Sequence, residues 1–286
     1  MNHEWQLARR ALPYGARTLV MGILNVTPDS FSDGGRFFDA GRALARAEEM
    51  IAEGADIIDI GGESTRPGAS PVAEEEEIRR IVPVLNALVK KIRVPVSVDT
   101  TKAAVARAAL EAGAEIINDI SALRFDPQLA DVAAHARAGL VLMHSRGTLE
   151  TLHSQPFVED ILPEVAESLR RSIAEAERRG VARACIAVDI GIGFGKSPQQ
   201  NVELLARLPK LARDFEGFPL VVGTSRKRFI GALLDNAPVG ERLHGTLATV
   251  TAAILHGAHI VRVHDVRPAA DAARVAEAIR AVNRES

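Results

Sequence analysis

The amino-acid sequence is poor in several features that would point to particular classes of protein. It has a single cysteine, Cys185, so an internal disulfide or a thiolate-rich metal site cannot form. Cys185 lies in the apolar run 184–188, where a buried structural thiol is expected. Lys and Arg number 35 against 37 Asp and Glu, a balance that offers no general attraction to nucleic acid or to an anionic membrane.

Long apolar runs are also missing. No stretch approaches the ~18 residues of a membrane-spanning helix, and the charged N-terminal segment lacks the apolar core of a signal peptide. The sequence therefore predicts a soluble, cytoplasmic protein that acts on small molecules. Hydrophobic residues still make up 47% of the chain, so a large core can be buried.

Short apolar runs alternate with longer segments of helical periodicity. The runs are mostly continuous, as expected for strands that are covered on both faces in a parallel sheet. Helical spacing is evident at Ile78, Ile81, Val82, Leu85 and Val89, and again at Leu162, Val165, Ala166, Leu169 and Ile173. The predicted strands are 18–26, 56–61, 95–99, 115–119, 140–144, 184–189, 220–224 and 259–263.

Eight strands separated by helices favour a (β/α)8 TIM barrel over a doubly wound sheet, which needs no set count of eight. We assign residues 1–17 to a short N-terminal arm and residues 18–286 to one barrel domain. The acidic run 74–77 is interpreted as a solvated first helical turn. Helix C-caps are predicted at Gly54, Gly113, Gly139, Gly180 and Gly257.

Every predicted strand ends in polar or ionisable residues. In a barrel these ends converge at one rim, where active sites of this fold lie. Ordinary loop polarity explains one or two such ends, whereas eight together favour an enzyme site. The rim residues are Asn25, Glu63, Asp99, Asn118, Asp119, His144, Asp189, Thr224, Ser225, Arg226, Lys227, Arg262 and His264.

The types of these residues narrow the chemistry. Asp99, Asn118 and Asp189 offer acceptors and one amide donor, a set that suits a flat heterocycle with a guanidine-like edge. Arg262 and His264 stand two residues apart and so point to one side of their strand. With Arg66 and Lys227 they form a cationic cluster typical of a phosphate site, although Arg262 has the alternative of an ion pair with Asp265 or another neighbour.

Three loops near the rim contain several glycines or prolines. Segments 27–35 and 63–69 are expected to close over a reacting centre. The segment GIGFGK, Gly191–Lys196, fits neither of the usual phosphate-loop spacings, so we reject that interpretation. Its one large side chain, Phe194, is expected to stack on an aromatic ligand.

Several segments together resemble the dihydropteroate synthases. They are MGILNVTPDSFSDGG (21–35), DIGGESTRPGA (59–69), VSVDTTK (96–102), IINDIS (116–121), GIGFGK (191–196), TSRKRFIG (224–231) and RVHDV (262–266). The resemblance implies a transferase of folate biosynthesis that joins 6-hydroxymethyl-7,8-dihydropterin pyrophosphate to p-aminobenzoate. It also implies Mg²⁺ as cofactor and a homodimer.

The resemblance further implies roles for individual residues. The pterin is held by Asp99, Asn118, Asp189 and Lys227. The pyrophosphate is bound by Asn25, Thr65, Arg66, Arg262 and His264, and Asn25 also contacts the magnesium ion. The p-aminobenzoate site is bordered by Phe194, Ser225 and Lys227, while Asp39 supports the reactive state. The catalytic residues so implied are Asp99, Lys227, Arg262 and His264.

Two segments depart from the family pattern. Ile190 replaces the proline that usually follows Asp189, and Ser145 and Arg146 replace a methionine and a neutral residue. We expect these changes to affect affinity more than activity, because proline pre-sets a turn and methionine adds an apolar wall.

Two other functions remain open. A pterin enzyme that passes a methyl group from methyltetrahydrofolate to a corrinoid would share the carboxylate pocket but would not need the cationic cluster. An inactive barrel that only binds a pterin is the second alternative.

Overall fold

Eight parallel strands pair with their neighbours in chain order and close into a barrel, because the last of them also pairs with the first. The computed structural model describes residues 3–27, 40–64, 71–148, 150, 151 and 155–285. The barrel strands are β3 (Leu19–Asn25), β4 (Ile57–Gly61), β5 (Val96–Asp99), β6 (Ile116–Asp119), β7 (Gly139–Met143), β8 (Ile186–Asp189), β9 (Leu220–Val222) and β10 (Ile260–Val263). All eight predicted strands and the predicted TIM barrel are confirmed.

Helices cover the outside of the barrel. They are α1 (Ala40–Glu53), α2 (Glu74–Leu88), α3 (Ala103–Glu111), α4 (Gln128–Ala136), α5 (Ile161–Arg178), α6 (Pro198–Ala206), α7 (Leu208–Asp214), α8 (Arg228–Leu233), α9 (Leu243–Leu255) and α10 (Val266–Glu285). Both predicted apolar stripes belong to helices, since Ile81 and Leu85 are buried in α2 and Val165 and Leu169 in α5. In the described part of the chain, no helix has the length and apolarity to cross a membrane.

Alternation along each strand produces two cores. One set of side chains packs against the helices, whereas Met21, Ile57, Val141 and Val221 belong to a second cluster that fills the barrel lumen. Because side chains alternate along a strand, residues two positions beyond a lumen residue also face the lumen. Asp59, for example, follows Ile57 in this way. Polar residues of this phase therefore line the upper end of the barrel.

A β-hairpin of β1 (His3–Gln6) and β2 (Ala11–Tyr14) packs against the lumen cluster from the N-terminal side. Trp5 is fully buried there, and its indole Nε1 donates a 2.8 Å hydrogen bond to the carbonyl oxygen of Cys185. Cys185 is a buried free thiol, as predicted, and burial raises its pKa. The hairpin thus supplies the packing that closes the base of the barrel.

Four of the five predicted glycine C-caps are confirmed by positive φ angles, and one is wrong. Gly54, Gly113, Gly180 and Gly257 have φ of 111°, 113°, 94° and 107°. After α4, however, the left-handed residue is Arg137, with φ of 51°, and Gly139 already belongs to β7. A Cβ at Gly139 would lie 2.6 Å from Leu7 Cδ2, so this glycine makes room for the hairpin.

The acidic run forms the first turn of α2, but the prediction that it is solvated is wrong for one member. Glu77 is fully buried, and its carboxylate accepts a 2.6 Å hydrogen bond from Lys102 Nζ. Lys102 also donates to Glu63 at 2.8 Å, which joins the chain after β4 to the chain after β5. Helical spacing places residue 77 on the same inward side as Ile81, and the buried ammonium compensates the buried charge.

Candidate active site

A cluster of ionisable side chains occupies the upper end of the lumen, at the carboxyl ends of the strands. Arg262 of β10 lies at its centre: Nε donates to Asp59 Oδ2 at 2.6 Å, and Nη2 donates to Asp99 Oδ2 at 2.7 Å. Asn118 Nδ2 donates to the same Asp59 oxygen at 3.2 Å. One guanidinium therefore serves two carboxylates, of which Asp59 is buried and Asp99 is partly exposed.

Burial controls the charge of this cluster. Desolvation, with a smaller contribution from the nearby Asp59 carboxylate, raises the pKa of Asp99 to about 7 against the opposing effect of Arg262. Desolvation also raises the pKa of Asp189, while the positive charge of Lys227 lowers it. Such carboxylates gain most from a ligand that brings several N–H donors, as a guanidine-like edge does.

Lys227 connects this pocket to the loop after β8. Its Nζ donates to the carbonyl oxygen of Ile192 and lies 4.5 Å from the centroid of the Phe194 ring. Desolvation lowers the pKa of Lys227 to about 8, although Asp189 opposes the shift. Asp189 in turn accepts a 2.7 Å hydrogen bond from the backbone N–H of Gly191. The aromatic ring, the ammonium and the carboxylate are thus parts of one arrangement.

Ser225 and His264 form a second group. Ser225 follows the carboxyl end of β9, and His264 follows the carboxyl end of β10. Ser225 Oγ accepts a 3.1 Å hydrogen bond from the backbone N–H of His264 and lies 3.0 Å from His264 Nδ1. Asp265 is paired with Arg226, whose Nε donates to it at 2.9 Å. The alternative that Arg262 forms an ion pair is confirmed, but its partners are Asp59 and Asp99 rather than Asp265, because Arg262 turns into the lumen.

Asn25 ends β3 on the other side of the pocket. A Cβ placed on Gly61 would lie 3.8 Å from Asn25 Oδ1 and 3.9 Å from Asp99 Oδ2, so both oxygens face the same glycine. Three other predicted residues, Asp39, Thr65 and Arg66, lie outside the described residues, as do most of segments 27–35 and 63–69.

Comparison with known proteins identifies the family. The family model for pterin binding enzymes matches residues 21–264. The dihydropteroate synthase of Synechocystis is 48% identical over 266 residues, which are 93% of this chain and 91% of that protein.

The chain belongs to the dihydropteroate synthase family.

Solved structures of dihydropteroate synthases agree with this assignment. The Xanthomonas albilineans enzyme with 4-aminobenzoic acid is 44% identical and superposes with a TM-score of 0.89, over 97% of this chain and 99% of that one. The Burkholderia cenocepacia enzyme complexed with 7,8-dihydropteroate is 42% identical, with a TM-score of 0.88 over 99% of both chains. The family resemblance and the transferase class predicted from the motifs are thereby confirmed.

Sequence reasoning missed Asp59 as a member of the cluster. This residue is fully buried, and its Oδ1 has no hydrogen-bond partner among the described residues. A signal was available, because Asp59 is a lone carboxylate inside an apolar run and stands two residues before Gly61. A carboxylate in that setting is expected to face other polar groups in the lumen.

The departures from the family pattern make contacts of their own. Ser145 Oγ accepts a 2.7 Å hydrogen bond from Arg124 Nη2. Arg146 Nη1 donates to the carbonyl oxygens of Pro156 at 2.6 Å and Gly195 at 3.0 Å, and its Nε lies 2.9 Å from Glu164. Ile190 is fully buried. The polar replacements are therefore built into the hydrogen bonding around the rim.

Proposed function

We propose that this rim joins 6-hydroxymethyl-7,8-dihydropterin pyrophosphate to p-aminobenzoate, so that 7,8-dihydropteroate and pyrophosphate are released. The observation that carries the proposal is the pocket in which Asp99, Asn118 and Asp189 meet Lys227 and Arg262 at the carboxyl ends of the barrel strands. The matching structures of relatives with 4-aminobenzoic acid and with 7,8-dihydropteroate support it.

The pterin is assigned to the deep end of the pocket. Asp99 and Asp189 accept hydrogen bonds from its N–H groups, and Asn118 both donates and accepts. The raised pKa of each carboxyl group reflects the cost of burying its charge. Pterin N–H groups supply hydrogen-bond donors to these carboxylates, so part of the binding energy comes from relieving the buried charge.

The reaction replaces one bond to the pterin methylene carbon with another. The carbon–oxygen bond to pyrophosphate breaks, a carbon–nitrogen bond to the aniline nitrogen forms, and that nitrogen releases a proton to solvent. The carboxylates favour positive charge on the pterin, whereas Arg262 and His264, with Thr65 and Arg66 from the second loop, favour negative charge on the leaving group. Orientation and electrostatics carry the rate, and no general base is required of the protein.

The p-aminobenzoate is assigned to the outer side of the pocket, where Phe194, Ser225 and Lys227 lie. The Phe194 ring offers an apolar face for the benzene ring. The ammonium of Lys227 lies against that ring, and the Ser225 hydroxyl adjoins the backbone of His264.

Magnesium is assigned to Asn25. Among the described residues, no group of three or more His, Cys, Asp or Glu side chains is arranged to bind a metal ion. The chemistry still fits, because Mg²⁺ takes oxygen ligands and commonly uses one or two protein groups together with substrate phosphates. Asn25 Oδ1, near Asp99, is such an oxygen. The bound ion would neutralise charge on the pyrophosphate.

We further assign the enzyme to the cytoplasm and to a homodimer. Three alanines of α10, Ala269, Ala273 and Ala276, pack into the core and so are not available to a dimer surface. On the opposite side of α10, Val275 and Ile279 are exposed, which leaves an apolar strip for a second copy. We expect light scattering to give twice the chain mass, and Ile279→Lys to give the monomer mass. A wild-type monomer at micromolar concentration would contradict the dimer.

The decisive assay follows both products when the purified protein receives the pterin pyrophosphate, p-aminobenzoate and Mg²⁺. We expect pyrophosphate and dihydropteroate in equal amounts and no product after chelation of the metal. In Asn25→Ala, the Mg²⁺ concentration for half-maximal rate should rise about tenfold or more, because a ligand oxygen is lost. Asn86→Ala, at an exposed position of α2, serves as the control.

The same assay separates the alternatives. Pterin binding without either product would favour an inactive binding barrel. Methyl transfer from methyltetrahydrofolate to a corrinoid, without pyrophosphate chemistry, would favour the methyltransferase. An unchanged Mg²⁺ requirement in Asn25→Ala would reject the metal assignment while leaving the synthase assignment in place.

A further inference from the structure

The loop that carries Phe194 is held by cationic side chains acting on its own carbonyl oxygens. Lys196 Nζ donates to Gly191 at 2.6 Å and to Phe194 at 3.1 Å. Lys227 Nζ donates to Ile192, and Arg146 Nη1 donates to Gly195 at 3.0 Å. Four of the five carbonyl groups from 191 to 195 thus receive a hydrogen bond from a lysine or an arginine.

Lys196 also ties this loop to the neighbouring strand. Its Nζ lies 3.3 Å from the carbonyl oxygen of His144, which directly follows β7. Gly191 approaches the same carbonyl so closely that a Cβ there would lie 1.7 Å from the oxygen, and its φ is +67°. The ammonium therefore sits where two backbone segments are in close contact, and it bonds to both of them.

Burial of the Lys196 ammonium in this arrangement costs free energy. Burial lowers its pKa well below the usual lysine range, and the charge of Lys227 lowers it further. The hydrogen bonds of its Nζ to described residues all go to main-chain carbonyls. Carbonyl dipoles offset only part of the desolvation cost of an ammonium. A polar group kept at such a cost commonly fixes one arrangement of the surrounding chain, which here is the arrangement that presents Phe194.

Arg146 holds the same loop from outside. One guanidinium nitrogen, Nη1, bonds both Gly195 and Pro156, while Nε is paired with Glu164 of α5 at 2.9 Å. A Cβ at Gly195 would lie 2.5 Å from Arg146 Cβ, so loop and arginine are in direct contact.

We propose that Lys196 and Arg146 are positioning residues that fix the Phe194 ring and thereby set the affinity for p-aminobenzoate, without touching either substrate. This inference rests on the proposed function and extends it to residues outside the pocket. Phe194 contributes an apolar wall, and such a wall binds a small aromatic ring well only when it is held in place beforehand.

The test is a kinetic comparison of Lys196→Met with the wild-type enzyme. Methionine keeps much of the aliphatic stem and removes the three hydrogen bonds. We expect the KM for p-aminobenzoate to rise about tenfold or more, with kcat at saturation within about threefold. Affinity for the pterin, measured by calorimetry, should stay within about twofold. Lys210→Met, which removes a surface ammonium paired with Asp214, should change none of these values.

A second variant covers the case in which Lys196→Met fails to fold. Arg146→Met leaves the Lys196 bonds intact, and we expect a smaller rise in the same KM, about threefold to tenfold. Equal weakening of pterin and p-aminobenzoate, or a loss of kcat with unchanged KM, would overturn the proposal in either variant.

Hydrogen exchange distinguishes failure of this inference from failure of the proposed function. In both variants the amides of residues 191–195 should exchange faster than in the wild type, whether or not dihydropteroate is formed. Unchanged exchange there would reject the positioning role. A wild-type protein that makes no dihydropteroate would instead reject the proposed function, and the exchange measurement would still decide the role of Lys196.

Discussion

Replacing Arg262 with methionine is expected to lower the free energy of unfolding at pH 8 by about 3–5 kcal/mol, the usual cost of removing one partner from a buried ion pair. Arg262 is the guanidinium shared by Asp59 and Asp99, and Asp59 is fully buried. Without it both carboxylates would remain in the lumen with no comparable counter-charge. Urea denaturation followed by circular dichroism measures the loss.

The loss should depend on pH in a defined direction. Arg262 lowers the pKa of Asp99, so its removal raises a value that is already about 7. A carboxyl group with a raised pKa in the folded state holds its proton there at pH values where the unfolded chain has released it. Unfolding free energy therefore falls as pH rises through this range. We expect the deficit of Arg262→Met to be smaller at pH 5.5 than at pH 8.

Activity should be lost together with stability. Removing one preorganised donor from a site of developing charge typically lowers the rate by about 10²–10³-fold, so we expect at least that loss in Arg262→Met at temperatures where the variant stays folded. Arg267→Met removes a comparable charge from an exposed pair with Asp271 and should change stability by less than about 0.5 kcal/mol. Equal deficits at both pH values would show that Arg262 does not act as the counter-charge.

Local sequence patterns were sufficient for the barrel and for most of the rim. Continuous apolar runs gave all eight strands, because a parallel sheet buries both faces of each strand. The polar end of each run then marked the rim. Two adjacent residues show why a polar strand end does not by itself identify a residue of the site. Asn118 points into the lumen, whereas Asp119 accepts hydrogen bonds from the backbone N–H groups of Ser121 and Leu123.

The errors arise where partners are distant in sequence. Nothing near Glu77 shows that Lys102 will compensate its charge, so an acidic helix start was interpreted as solvated. Gly139 stands where a helix cap is normal, but the hairpin needs that space, and Arg137 adopts the left-handed conformation instead. Likewise, the direction of Arg262 depends on Asp59, which lies on another strand. Patterns of neighbouring residues in the sequence do not predict contacts between residues that are distant in the chain.

Replacing Asp99 with asparagine is expected to have opposite effects on function and stability. Pterin binding should weaken by about 10–100-fold, because hydrogen bonds to a charged acceptor are worth about 1.5–3 kcal/mol. The ligand-free protein should nevertheless become more stable at pH 8. Asp99 is a second, largely buried carboxylate beside the single guanidinium of Arg262, and desolvation raises its pKa from 3.8 to about 7.

The direction of this stability change follows from the number of protons bound by the folded and unfolded states. Between these two pKa values the folded wild-type protein binds more protons than the unfolded chain, so its unfolding free energy decreases with rising pH. Each unit of pKa difference corresponds to about 1.4 kcal/mol. Asparagine avoids this cost but loses part of the attraction to Arg262, so we expect a net gain of about 1–3 kcal/mol at pH 8.

The gain should shrink as pH falls, because folded Asp99 of the wild type takes up a proton as pH falls through about 7 and carries little buried charge at pH 5. Unfolding free energies from urea titrations between pH 5 and pH 8 test this, with Asp271→Asn, an exposed position, as the matched control. A loss of stability in Asp99→Asn at pH 8 would show that the ion pair with Arg262 outweighs desolvation. A confirmed gain would mean that the pocket retains this carboxylate for its ligand at the expense of the fold, as expected of a binding site prepared for N–H donors.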